Sequence, residues 1–291
     1  MDSATRRRLN GMLITGVLIA ACGISIGQAS VGNAEQSGAF ALLGGTPQIS
    51  SKFWAEHAAG LTWTLQMRQF RLGATTPILD YDVDMQRLMH LIVVRDDFAT
   101  FDHLHPAFDT TSGTFSQPFT KVAGHRYYVY ADTTPHGMGQ QVFRFTIESD
   151  GTPVDSPAAL DVSTPSRTVG PYTVTLARTT LDANTAQSLN LTVFKGNGPA
   201  ADLGLYLGAA AHAVFINTAT LAYVHVHPAV LGAGAVEMSP GMNMNADEAA
   251  TAGPRMQMQL PPLPAGTYKL WIQFRGANDA IYTAAFTIRS R

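Results

Sequence analysis

The sequence predicts an all-β protein of two tandem halves, each a sandwich or barrel of short strands. Three observations predict it. Apolar and polar residues alternate in many short runs rich in β-branched and aromatic residues, bounded by Gly, Pro, Asn or Asp. No long 3.6-residue periodicity occurs outside the N-terminal segment. One histidine motif occurs twice, as His90 followed by His103-Leu104-His105-Pro106 and as His212 followed by His225-Val226-His227-Pro228.

In chain order, residues 1–33 read as a targeting segment, because Arg6-Arg7-Arg8 precede an apolar stretch over 12–26. That stretch is short for a bilayer-spanning helix of ~20 apolar residues and suits a signal peptide. Ile19-Ala20-Ala21-Cys22 also has the form of a lipobox, whose cysteine becomes lipidated, while Ala29 and Ala34 offer ordinary cleavage sites. A lipoprotein, a secreted protein and an uncleaved anchor all place the remainder outside the cytoplasm, in the periplasm or at the cell surface. Residues 34–58 hold Gly44-Gly45-Thr46-Pro47 and Ser50-Ser51 and read as a spacer, with a short helical turn over 53–59.

Strands are expected from there on, over 62–67, 127–130, 142–147, 172–176, 189–194, 269–274 and 281–288. Residues 151–167, with Gly151, Pro153, Pro157 and Pro165, read as a linker between a first repeat, 59–150, and a second, 168–291. An offset of 122 sets Pro77 on Pro199, Asp80 on Asp202 and all three histidines of one motif on those of the other. An offset of 141 sets Tyr127 on Tyr268 and Phe145-Thr146-Ile147 on Phe286-Thr287-Ile288. Such self-similarity marks a duplicated unit. The second copy carries an insertion with Met238, Met242, Met244, Met256 and Met258.

Each motif reads as a β-hairpin. With the first turn centred between Asp96 and Asp97, His90 lies opposite His103; with the second centred between Thr218 and Ala219, His212 lies opposite His225. Opposed residues share a face, and His105 and His227, two residues further on, share it too. Ile92, Val94 and Phe101, and Val214, Ile216, Leu221 and Tyr223, lie on the same faces. The triads are thus expected at the ends of inward, apolar sheet faces. Three convergent imidazoles suit a metal ion, which needs close nitrogens at ~2.0–2.1 Å; the competing reading is histidines that cap the core edge by hydrogen bonding. Pro106 and Pro228 are expected to end their strands. Asp80 and Asp202 are turn residues or partners that orient an imidazole.

Neutral imidazoles suit copper, zinc or nickel. Met242 with Met244 and Met256 with Met258 favour copper, since thioethers are soft ligands, with zinc as the alternative; Met85 and Met89 add weakly. Against this, the methionines could be a loop and a strand face. His57, His125 and His136 have no counterpart in the other half and are expected to make local hydrogen bonds. A charged fraction of 14% against 46% hydrophobic residues suits a buried core. No Lys/Arg run occurs outside the leader, which argues against nucleic acid. The single cysteine, Cys22, excludes an intrachain disulfide and cysteine-based metal sites. The chain lacks Gly-x-Ser-x-Gly, His-Glu-x-x-His and phosphate-loop motifs, so a non-enzymatic role is expected.

Tyr206-Leu-Gly-Ala-Ala-Ala-His212, Leu221-Ala-Tyr-Val-His-Val-His-Pro228 and Pro264-Ala-Gly-Thr-Tyr-Lys-Leu-Trp-Ile-Gln-Phe274 together resemble the bacterial secreted YtkA-like family with its HxHP signature. The resemblance covers most of 168–291, and the first half is a more divergent copy. It implies two immunoglobulin-like β-sandwiches outside the cytoplasm, near copper and heavy-metal handling. The expectation is an exported metal-binding protein, with copper on His90, His103 and His105 and on His212, His225 and His227, assisted by Met242 and Met244. An envelope transport or delivery protein would be its partner, and the leader or a lipid on Cys22 its membrane tie. The alternative is an envelope interaction module whose histidines serve the fold only.

Overall fold

The computed structural model describes residues 33–149, 160, 162–232 and 252–291. The leader with Cys22, most of the linker, and Met238, Met242 and Met244 lie outside the described residues. Among the described residues no helix is long and apolar enough to cross a membrane.

The first half contains β1 (Asn33–Ser37), β2 (Ala39–Phe40), β3 (Ile49–Ala59), β4 (Thr62–Arg71), β5 (Met89–Arg95), β6 (Phe101–Leu104), β7 (Ala107–Asp109), β8 (Thr114–Thr120), β9 (Tyr127–Thr133) and β10 (Gln141–Ile147). They form two sheets, ordered β1-β3-β4-β8-β7 and β2-β10-β9-β5-β6. The second half contains β11 (Ser166–Val169), β12 (Tyr172–Leu176), β13 (Thr180–Leu181), β14 (Gln187–Lys195), β15 (Gly198–Pro199), β16 (His212–Asn217), β17 (Tyr223–Val226), β18 (Ala229–Val230), β19 (Arg255–Leu260), β20 (Gly266–Arg275) and β21 (Ile281–Ser290). Its sheets run β11-β12-β14-β19-β18, with β15 beside β14, and β13-β21-β20-β16-β17. The β13–β21 pair is parallel; the others between named strands are antiparallel. The all-β sandwich architecture expected from the alternating runs is present.

Two boundaries differ from expectation. Residues 34–58 are not a spacer, and no helical turn forms over 53–59. They supply β1, β2 and β3, and β3 pairs with β4 from Ile49 opposite Arg71 to Ala59 opposite Thr62. The reason is a period of two: Ile49, Ser51, Phe53 and Ala55 are all buried, with more exposed residues between them. Likewise, the end of the expected linker is attached to the second sandwich. Ser163 exchanges hydrogen bonds with Thr287, and β11 begins at Ser166.

Three apolar clusters organise these sheets. One joins the two sheets of the first half through Phe53, Leu65, Phe115, Leu91, Val93 and Val129. A second does the same for the other half through Val174, Leu191, Met256, Phe215, Leu270 and Phe286. The third joins the halves: Ile92, Val94 and Tyr130 pack with Val214, Ile216, Tyr223 and Trp271. Strands β5 and β16 are therefore buried on both faces. Burial of apolar area on this scale, at about 25 cal/mol per Å², holds the halves together. Backbone pairing adds to it: Leu43 N–H donates to the Tyr223 carbonyl (3.0 Å) and Tyr223 N–H donates to the Ala41 carbonyl (2.8 Å).

Candidate metal centre

The site begins with the two motif hairpins. In the first, Ile92 lies opposite His103 and Leu91 opposite Leu104. In the second, Val214 lies opposite His225 and Ala213 opposite Val226. The register is thus shifted by two residues from the expected one, so His103 faces Ile92 rather than His90. The loops explain it. Phe98 (φ 56°) and Leu221 (φ 61°) adopt left-handed backbone, which moves the centre of each turn one residue along. A shift of two keeps every side chain on its expected face, so the three histidines of each motif still share a face. Strands β6 and β17 end at Leu104 and Val226, just before the His-Pro pairs.

The face itself was misplaced by the sequence reading. Met89, Leu91 and Val93 point into the first sandwich, while Ile92 and Val94, on the His90 face, pack against the other half. The run His90-Leu-Ile-Val-Val is apolar on both faces because both are covered. The two triads are consequently not two separate sites at the ends of two sandwich interiors. They meet in one cluster between the halves.

Within the first triad the ring centroids are 5.1 Å (His90–His103), 5.4 Å (His90–His105) and 4.8 Å (His103–His105) apart. Within the second they are 5.4 Å (His212–His225), 4.7 Å (His212–His227) and 4.7 Å (His225–His227) apart. Across the halves His103 lies 5.3 Å from His212, and His90 lies 5.4 Å from His225. One nitrogen from each of His90, His103 and His105 falls within 4.8 Å of the others, and so does one from each of His103, His212 and His225; the second group thus takes His103 from the first half in place of the expected His227. Two equivalent aromatic stacks flank the cluster, Phe101 on Trp271 (4.9 Å) and Tyr223 on Tyr130 (5.2 Å).

Hydrogen bonds fix the rings. The Nε2–H groups of His90 and His212 donate to the backbone carbonyls of Asp84 (3.1 Å) and Tyr206 (3.0 Å), equivalent residues at the 122 offset. A peptide carbonyl can only accept, so in the neutral form of each ring Nδ1 is a bare lone pair. His225 Nδ1 lies 3.2 Å from Asp132 Oδ2, and His103 Nδ1 lies 2.9 Å from Gln273 Oε1. Asp132 and Gln273 are equivalent at the 141 offset, and each lies directly opposite the first histidine of its own half, His90 or His212. Each therefore serves the histidine of the other half. Asp132 also accepts from the Tyr223 hydroxyl (3.1 Å) and from the Gln140 amide (2.9 and 3.0 Å). Burial holds its carboxyl above its ordinary value, against the pull of these donors.

When Asp132 is ionised, Nδ1 of His225 donates to it and the Nε2 of His225 is bare as well. It faces the bare His212 Nδ1 at 3.2 Å. In the first half His90 Nδ1 faces His103 Nε2 at 2.8 Å. Nε2 of His105 and Nε2 of His227 are buried and have no hydrogen-bond partner among the described residues. Burial, then neighbouring imidazoles, hold His103, His212 and His225 well below the ordinary histidine range; burial also lowers His227 and brings His105 down to about 4. These five rings are held neutral, which is the state in which imidazole binds a metal.

Other expected residues fall elsewhere. Met256 and Met258 form the buried face of β19 in the second sandwich core, and Met89 is buried in the first; none is a ligand. Asp80 and Asp202 orient no imidazole. The Asp80 carbonyl accepts from His136 N–H, and Asp202 binds the Tyr172 hydroxyl and Lys195. His57, His125 and His136 make local bonds to Gly60, Asp96 and Asp82. Asp132 and Gln273 were missed, although a polar pair at matching positions inside apolar strands was a usable signal.

Among known proteins, residues 167–291 match a family model described as a domain of unknown function (DUF8832). No curated protein matches the chain. The matched span holds His212, His225 and His227, and the second half is thus similar to a family whose description names no activity.

Proposed function

We propose that the protein is an exported, non-enzymatic metal-binding protein that holds copper in the six-histidine cluster, for resistance or for delivery to an envelope partner. The observation that carries this reading is the 3.2 Å contact between His212 Nδ1 and His225 Nε2. A backbone carbonyl and a carboxylate fix both rings so that two lone pairs meet. Two facing lone pairs repel unless a cation lies between them, and burial disfavours a proton there. The separation also suits two imidazoles on one ion at ~2.0–2.1 Å. His105 brings the third nitrogen to His90 and His103, and His103 brings the third to His212 and His225.

An all-imidazole donor set favours copper over zinc by intrinsic affinity order. Export rests on the leader. The described methionines give copper no support, since Met256 and Met258 are core residues. Metal analysis of purified full-length protein, with competition titration against a chelator, tests the proposal. Tight copper binding lost in the His225→Ala plus His227→Ala variant is expected. Binding of zinc alone would replace copper, and absence of tight binding to either would leave a cluster that serves the fold only.

A further inference from the structure

We infer that the cluster holds one ion per chain, at either of two positions that share His103. The outer position lies on His90, His103 and His105 and is where the ion enters. The inner position lies on His103, His212 and His225 and is where it rests. This deepens the metal reading and rests on it.

Two groups of nitrogens converge in the cluster, and His103 belongs to both. In the outer group its ring centroid lies 5.1 Å from that of His90 and 4.8 Å from that of His105. In the inner group it lies 5.3 Å from that of His212 and 5.7 Å from that of His225. A neutral imidazole has one bare lone pair, whichever nitrogen holds the proton. His103 therefore serves one position or the other. Serving both would strip its remaining proton and set two cations on one buried ring, where low dielectric enlarges their repulsion.

The two positions differ in access and in support. His105 is half-buried, while His90, His103, His212 and His225 are buried. An ion arriving from solvent meets the outer group first. There His90 is backed by the Asp84 backbone carbonyl, and His105 Nε2 has no hydrogen-bond partner among the described residues. In the inner group the Asp132 carboxyl lies 3.2 Å from His225 Nδ1. A carboxylate in that place holds a ligating imidazole in one tautomer and makes it more basic, so the inner position is the tighter. Because His103 is common to both, the ion moves between them without leaving the cluster.

Titration of full-length protein with Cu(I) against a competing chelator, with uptake and release followed by stopped flow, tests this. One Cu(I) per chain is expected. His105→Ala, just beyond the end of β6, leaves the inner position intact. Because that position is the tighter, the dissociation constant rises at most about 2-fold. Uptake and release both slow by a common factor of about 10 or more. Misfolding would lower the stoichiometry and could not produce slower exchange at an unchanged constant. His212→Ala keeps one ion at the looser outer constant, and His103→Ala, which damages both positions, binds more weakly than either of the other two. Two ions per chain would overturn the shared ligand. Wild-type exchange rates in His105→Ala would overturn the entry route. No Cu(I) bound by the wild type would overturn the metal reading as well.

Discussion

His225 Nδ1, in the second half, lies 3.2 Å from Asp132 Oδ2, in the first, and both side chains are nearly inaccessible to solvent at 0% and 2%. The equivalent relationship runs the other way between His103 and Gln273, at 2.9 Å. Each half thus orients a histidine of the other. A duplicated domain has become one unit whose site exists only when both copies are in place.

Acid should unfold the metal-free protein progressively. Burial holds His103, His105, His212, His225 and His227 below their ordinary value. Their folded pKa lies below the unfolded one of about 6.5, so unfolding takes up protons. Their contribution is complete above pH 6.5 and is lost as pH falls toward the folded values, which for His105 means down to about 4. Each contributes a slope of about 1.4 kcal/mol per pH unit inside its window. Asp132, raised by burial, acts with the opposite sign. Urea midpoints of chelated protein should fall from pH 7 to pH 5. A flat or rising series would mean that the rings are not buried neutral.

The sequence carried the strand pattern, the repeat and the shared face of each triad, because alternation of period two depends only on local geometry. It did not carry what covers that face. Ile92 and Val94 look the same whether they pack against their own sandwich or against another half. The hairpin register was off by two because nothing in Asp97-Phe98-Ala99 announces a left-handed phenylalanine. Asp132 and Gln273 were legible only as aligned polar residues, since their contacts lie across the halves. In the span 34–58 the turn residues over 44–47 mask the alternation that begins at Ile49.

The interface core should be energetically important. Trp271 is 2% exposed and stacks on Phe101 at 4.9 Å across the halves. Trp271→Ala removes that contact and opens a cavity, at a cost of about 3–5 kcal/mol. Chemical unfolding should record it. A cost below about 1 kcal/mol would mean that the halves hold together without this stack.

The core methionines should be silent in metal binding. Met256→Leu and Met258→Leu conserve volume within the second core and should cost less than about 1.5 kcal/mol each. Their copper affinity should equal that of the wild type. A weakened constant with unchanged stability would show that β19 rearranges to supply sulfur.

Metal should stabilise the whole chain rather than one half. At a free concentration about 100 times the dissociation constant, binding to the folded form contributes about 2.7 kcal/mol per site. A single unfolding transition, shifted upward by copper and unshifted in His90→Ala plus His212→Ala, is expected in calorimetry. Two transitions, with only one shifted, would contradict a shared centre.

X-ray absorption of the copper-loaded, full-length protein reads the ligands of the metal itself. A first shell of imidazole nitrogens at about 2.0 Å, with their outer-ring scattering and no sulfur shell, is expected. A shell of sulfur, or of light atoms without imidazole scattering, would contradict it.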